Sequence, residues 1–311
     1  MTPDSRPRVL LTRRVPSSIL SRLEAACDVQ LEETALTPEQ LRERIRDKDG
    51  LISVLTDRVD EALLDAAPAL KVVANIAVGY DNIDVPAAAR RGVVVTNTPD
   101  VLTEATAELT WALILSAARR IAEGDRLIRR GGWKGWAIDF MLGTELRGKQ
   151  LGIIGRGRIG RAVAARAPAF GMTAVFGKQD MSIDELLISS DVISINTSLR
   201  PDTRHLIDRR SLMRMKRTAI LVNTARGPVI DEQGLAWALQ ERLIAAAALD
   251  VYEKEPIVHE ALLTMENVVL APHLGSATRE TRSAMIDLAV SNVIEVLQGR
   301  APLTPVSPAR A

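Results

Sequence analysis

The chain has 311 residues, enough for about two domains, and its 47% apolar and 25% charged residues supply material for two cores. Aromatics are only 3%, so Ala, Leu, Val and Ile must fill those cores. Forty Lys and Arg against 39 Asp and Glu leave no charge excess to recommend nucleic acid or an anionic membrane as a partner. No apolar run nears the ~18 residues of a spanning helix. Cys27 is the only cysteine, which excludes an intrachain disulfide, and the first residues carry no signal-peptide pattern, so the cytoplasm is the expected compartment.

In chain order, residues 8–12 read as a strand and 17–26 as a helix with Ile19, Leu20 and Leu23 on one face. Thr37-Pro38-Glu39-Gln40 opens a helix over 37–46, with Thr37 as cap, Pro38 in the first turn and a carboxylate at the dipole's positive end. Strands follow at 50–54, 72–76 and 93–95. A helix free of Pro and Gly spans 102–120; Trp111, Leu113, Ile114 and Leu115 put apolar groups on more than one of its faces, which suggests burial at a subunit interface. A loop containing Trp133 and Trp136 leads to a second series of strands at 151–154, 173–176, 192–195, 219–223, 246–249 and 268–270. A helix over 282–297 closes the fold, and the Pro-containing tail 302–311 reads as extended or frayed. Strands alternating with helices predict an α/β fold with doubly wound parallel sheets.

Gly155-Arg156-Gly157-Arg158-Ile159-Gly160 follows a strand and opens a helix. Gly155 permits a tight turn, Gly157 lets the backbone approach a pyrophosphate, and Gly160 allows close packing of helix on strand. The amides and dipole of the helix N-terminus then face the phosphates. About 20 residues on, an NAD enzyme places a carboxylate for the ribose 2′-hydroxyl. Here the strand runs into Gly177-Lys178-Gln179-Asp180. An ammonium at Lys178 attracts a 2′-phosphate, so NADP(H) is favoured over NAD(H), with a slip of register bringing Asp180 to the ribose as the alternative.

Three later segments place Arg226, Glu255 and His273 beyond the carboxyl ends of strands, where open α/β sheets bind ligands. The residue types suit reduction of a 2-keto acid. A guanidinium holds a carboxylate bidentately and polarises a carbonyl. A histidinium donates the proton that the new alkoxide needs, and a neighbouring carboxylate orients the imidazole and favours its charged form. Nothing indicates a metal site.

Together, Val78-Gly79-Tyr80-Asp81-Asn82-Ile83-Asp84, the Gly155 turn, Thr224-Ala225-Arg226-Gly227, Asp250-Val251-Tyr252-Glu253-Lys254-Glu255-Pro256 and Pro272-His273-Leu274-Gly275-Ser276-Ala277 resemble the D-isomer-specific 2-hydroxyacid dehydrogenase family, most closely its glyoxylate/hydroxypyruvate reductase branch. The resemblance covers nearly the whole chain. It implies a Rossmann cofactor domain over 100–285, inserted into a flavodoxin-like substrate domain of 1–99 plus 286–311, and a homodimer. It implies Arg226 as the substrate-binding arginine, His273 as proton donor and Glu255 as its partner. Val78 and Gly79 would offer amides to the substrate, with Leu55 and Phe140 as apolar contacts. Thr106, Gly155, Gly157, Arg158, Ile159, Gly160, Lys178, Ser198, Thr203, Thr224, Ala225, Asp250 and Gly275 would line the cofactor. His205, His259 and Glu253 match no functional position and read as surface residues, and the two tryptophans as packing or dimer contacts. Two alternatives stay open: another family member, such as a 2-ketogluconate or 3-phosphoglycerate dehydrogenase, and a cofactor-binding regulatory protein with impaired turnover.

The sequence departs from the family at one place. About fifteen residues, a helix and a strand, are expected between Gly177 and Ser182, and only Lys178 to Met181 intervene. Strand 3 of a Rossmann sheet is its edge, so the loss predicts an intact fold with strand 2 as a new edge and a looser adenine site. Arg156 is a second departure, expected near the pyrophosphate, and Pro168 is expected to kink the helix after the turn.

Overall fold

A computed structural model describes residues 6–307. The chain divides into two compact units, Met1–Leu102 with Thr278–Ala311, and Thr103–Ala277. In the first, β1 (Arg8–Leu11), α1 (Ser17–Ala26), β2 (Asp28–Leu31), α2 (Pro38–Arg44), β3 (Gly50–Ser53), α3 (Glu61–Asp65), β4 (Val72–Asn75), α4 (Val85–Arg90) and β5 (Val94–Thr96) follow one another. The strands form an all-parallel sheet of order β2-β1-β3-β4-β5, a flavodoxin-like arrangement. Thr37 and Gln40 close the expected capping box at the start of α2. No strand is expected where β2 lies. It is an edge strand, its four residues half-buried or exposed, so it lacks the continuous apolar run that marks β3 and β4.

The second unit contains α5 (Thr103–Ala118), α6 (Ile121–Arg129), β6 (Gln150–Ile154), α7 (Arg158–Arg166), β7 (Thr173–Phe176), α8 (Ile183–Ser189), β8 (Val192–Ile195), α9 (Arg209–Arg214), β9 (Ile220–Asn223), α10 (Glu232–Gln240), β10 (Ala246–Leu249), α11 (Glu260–Thr264) and β11 (Val268–Leu270). Its six-stranded parallel sheet has the order β11-β10-β9-β8-β6-β7. The central strands β8, β9 and β10 are buried along their whole length, as strands covered on both faces must be. The sheet ends at β7, so the shortened connection leaves the second Rossmann strand as the edge, as expected. Asp180 blunts that edge: its Oδ2 accepts the outward-facing Phe176 N–H at 2.8 Å. Pro168 does not kink α7. The helix stops at Arg166, and a 3-10 turn, Ala167–Phe170, takes the proline in its first positions, where a missing N–H costs nothing.

Helix α12 (Arg279–Leu297) returns the chain to the first unit, where it packs on β3, β4, β5 and α1. The described part of the tail, to Ser307, is not frayed. Val306 N–H donates to Val95 O at 2.8 Å, and Asn292 Oδ1 accepts from Leu303 and Thr304; residues 308–311 lie outside the described part. The apolar surround of α5 also has a different cause from the expected one. Ala107, Trp111, Leu113, Ile114 and Ala118 are buried in the core of the helix's own unit, between α7 and strands β9, β10 and β11. Among the described residues no helix is long and apolar enough to cross a membrane.

Candidate active site

Three strand ends build the charged constellation. After β9, Asn223 shapes the turn: its Oδ1 accepts Ala225 N–H at 3.0 Å and its Nδ2 donates to Arg226 O at 2.9 Å. Arg226 is thereby held in extended backbone (φ −146°). Gly227 lets this turn lie directly on the one after β10, since a Cβ at 227 would fall 1.9 Å from the Tyr252 carbonyl. After β11, His273 has a left-handed φ of +55°, a conformation uncommon for a residue with a Cβ. Asp250 imposes it. The fully buried Asp250 accepts the amides of Leu274 at 2.6 Å and Gly275 at 2.8 Å on its carboxylate, and that of His273 at 2.9 Å on its carbonyl.

The result is a hydrogen-bonded pair. His273 Nδ1 lies 2.9 Å from Glu255 Oε2, while Glu255 Oε1 accepts Tyr252 N–H at 3.0 Å. Burial raises the Glu255 pKa, but the His273 bond and charge, the Tyr252 amide and the Arg226 charge outweigh it and hold the carboxyl below its ordinary range. Burial pushes Asp250 the other way, upward, despite its two amides. The Tyr252 hydroxyl donates to Ala271 O at 2.9 Å, and burial pushes its phenol up to about 12, so it stays a neutral brace between β10 and β11. With Nδ1 spent on Glu255, the imidazole has Nε2 for a ligand.

The Gly155 turn fits a dinucleotide. Gly155 has φ +109° and abuts the Asn196 backbone, where a Cβ would lie 2.5 Å from the carbonyl oxygen. A Cβ on Gly160 would lie 2.0 Å from Gly155 O, so helix and strand pack through it. A Cβ on Gly157 would meet nothing within 4 Å, and no side chain caps α7 there. The first and third glycines answer to the protein, and the second leaves room for something else, as a pyrophosphate at the helix N-terminus requires. Gly275 adjoins Asp250 and Thr106, and Thr224 hydrogen-bonds Thr110 at 2.8 Å, whose hydroxyl also reaches Thr106 O one turn back along α5. Thr203 turns inward instead: its hydroxyl donates to Ser198 O and accepts Arg200 N–H, both at 2.8 Å, which folds the loop that presents Ser198.

In the first unit, Gly79 O and Val78 O accept from the side chains of Asn75 (2.9 Å) and Asn97 (2.8 Å). Neither asparagine is among the expected site residues; an amide at a strand end is the signal that marks them, and Asn75 is fully buried. Leu55 is half-buried in its own turn, and Phe140 is 42% exposed. Lys178 has φ +70° and pairs with Asp202 at 3.9 Å, while Arg156 stacks its guanidinium 5.3 Å from the Phe176 ring centre at the end of β7, not over the pyrophosphate turn. One surface reading needs correction. Glu253 is mostly buried and lies 2.7 Å from His205 Nε2, with Arg204 at 3.5 Å. His259 accepts Ala261 N–H as the cap of α11. Each partner comes from packing of separate elements or local cap geometry that residue type alone does not disclose.

A family model described as "D-isomer specific 2-hydroxyacid dehydrogenase, NAD binding domain" matches residues 111–275. The chain belongs to this family. A glyoxylate reductase of Aeropyrum pernix is 49% identical, covering 96% of this chain and 95% of the relative. One of Thermococcus onnurineus is 44% identical over 97% and 96%. The second alignment runs over 321 positions, more than the 311 residues here, so it opens gaps in this chain. Among solved structures, an NADPH-dependent glyoxylate/hydroxypyruvate reductase of Sinorhizobium meliloti, in complex with NADP and malonate, superposes with a TM-score of 0.88 at 35% identity, over 97% of each chain. Like its family, this dehydrogenase is a pyridine-nucleotide-dependent oxidoreductase with a Rossmann cofactor domain.

Proposed function

We propose that the protein reduces a small 2-keto acid, glyoxylate or hydroxypyruvate, to the 2-hydroxy acid with NADPH. The observation that carries this reading is the 2.9 Å His273–Glu255 pair beside the Arg226 turn, in the same unit as a glycine turn open to a dinucleotide. Bound NAD(P)H supplies a hydride to the keto carbon. Arg226 binds the substrate and polarises its carbonyl. His273 gives its Nε2 proton to the oxygen as charge develops there, and Glu255 holds the ring by Nδ1 and balances the positive charge. Val78, Gly79, Leu55 and Phe140 are the remaining substrate-binding positions by family resemblance. The named relatives, glyoxylate reductases over nearly their full lengths, support this substrate class over a ketogluconate or phosphoglycerate.

The preference for NADPH rests on charge at the end of β7. Arg156 and Lys178 are the cations there, and Asp180 has one carboxylate oxygen committed to the Phe176 amide. A charge-assisted hydrogen bond is worth ~1.5–3 kcal/mol, so Lys178→Ala should weaken NADPH binding about 10- to 100-fold and leave NADH nearly unchanged. Fluorescence titration with each dinucleotide measures this; equal losses for both would refute the preference. The same titration checks the looser adenine site expected from the missing edge unit, since a Kd as tight as that of full-length relatives contradicts it. Turnover of glyoxylate, hydroxypyruvate and larger 2-keto acids with each cofactor tests the whole reading, and no turnover on any of them would sink it.

The protein is further proposed to be a homodimer in the cytoplasm. Support for the dimer lies in α6 and the segment after it, where Ile121, Ile128, Trp133, Trp136, Ile138 and Leu142 are all more than half exposed. So many large apolar groups along one stretch mark a surface that another protein covers. Light scattering should give a dimer mass, and a monomer would overturn the assignment.

A further inference from the structure

The loop that carries Glu255 is tied down at both ends by one side chain. Glu232, the first residue of α10, is 8% exposed. Its Oε2 accepts Glu253 N–H at 2.7 Å and its Oε1 accepts His259 N–H at 2.6 Å. The bond is returned, for Glu232 N–H donates to Glu253 Oε2 at 3.3 Å. Glu253 in turn meets the His205 ring and the Arg204 guanidinium, so the cluster has a cationic partner for its carboxylates. Residues 253 and 259 bound a seven-residue stretch with Glu255 inside it. The hydride-transfer chemistry proposed above does not use Glu232.

A carboxylate is the only side-chain group that can fill this place. It offers two acceptor oxygens and no donor, so it satisfies two N–H groups at a separation fixed by one rigid O–C–O unit. An amide would turn an NH2 group on one of the two donors, lose that bond and leave a buried N–H unpaired. We propose that Glu232 is a positioning residue: it sets the height of the 253–259 loop, hence of Glu255, and through Glu255 the tilt of the His273 ring. The proposal rests on the reading of Glu255 and His273 given above.

The test is a double-mutant cycle with NADPH and glyoxylate. Glu232→Gln should lower kcat roughly 10- to 100-fold, the scale of a small misplacement of a catalytic group. It should leave the Kd for NADPH unchanged and move the pH profile of kcat toward that of Glu255→Gln. If Glu232 acts through Glu255, its substitution has little further effect on kcat in the Glu255→Gln background. Unchanged kcat and pH profile in the single variant, or losses that multiply in the double variant, would overturn the proposal. The reading of Glu255 is judged separately, by whether Glu255→Gln alone loses activity. Should the Gln variant fail to bind NADPH, Glu232→Asp takes its place, because it keeps the charge but is one methylene too short to reach both amides; the same outcomes apply.

Discussion

Replacing His273 with Ala is expected to lower kcat by ~10²–10⁴-fold, the contribution of a positioned general acid. The Kd for NADPH should not change, because Asp250 holds the neighbouring amides of Leu274 and Gly275 through its own carboxylate. His273 sits at φ +55°, where alanine is strained, so a loss in the Ala variant could come from a shifted backbone. Asn tolerates that region better than other residues with a Cβ. His273→Asn should therefore keep the turn and lose the same activity. If Asn restores much of kcat, the imidazole is a backbone-compatible filler and not the acid. The pair also sets an acid limit. The Glu255 pKa is depressed in the folded protein, so the stability it contributes is complete above its unfolded value, near 4.3, and is lost as pH falls through the lower folded value. Unfolding midpoints followed from pH 7 to 3 should fall less steeply in Glu255→Gln than in the parent.

Gly227→Ala should be nearly as damaging, for a reason that involves no chemistry. The added methyl would sit 1.9 Å from the Tyr252 carbonyl carbon and oxygen and 2.5 Å from Glu253 N. All three are backbone atoms, so no rotamer change can make room. The turn bearing Arg226 must lift from the turn bearing Glu255. We expect a stability loss of ~1–3 kcal/mol and a fall in kcat of about 100-fold, since small displacements of catalytic groups are costly. Gly157→Ala is the contrast. Its φ of −72° suits any residue, and its methyl would point into open space. That variant should be as stable as the parent, or more so by ~0.4–1 kcal/mol, and should bind either dinucleotide more weakly. If Gly227→Ala proves silent in both melting temperature and kcat, the close approach of the two turns is not required for activity. If Gly157→Ala binds NADPH as tightly as the parent, the pyrophosphate does not lie on that glycine.

Much of this was legible in the residues because the signals are local. A glycine triplet between a strand and a helix, an arginine after β9, a carboxylate after β10 and a histidine after β11 each announce themselves within a few positions. The shortened segment after Gly177 was legible too, and it correctly predicted β7 as the sheet edge. The failures were of another kind. β2 escaped notice because an edge strand buries little and so carries little pattern. The apolar girth of α5 was referred to a subunit interface because a sequence states that a helix is surrounded and not by what; here its own sheet and α7 surround it.

The fold class and the residue types at the strand ends follow from the order of residues, since apolar periodicity, glycine conformations and the order of motifs along the chain require no knowledge of distant contacts. Tertiary structure alone decided what those residues touch. Glu253 read as solvent-facing and meets His205 from a turn 48 positions away. Asp180 reads as a possible ribose ligand, and folding also gives one of its oxygens an edge amide to hold. Glu232 drew no attention at all, yet bridges two backbone amides separated from it by 21 and 27 residues. The physical reason is the same in each case: a buried or half-buried carboxylate takes its function from the donors that folding brings to it, and those donors are backbone N–H groups and side chains that no neighbouring letter reveals.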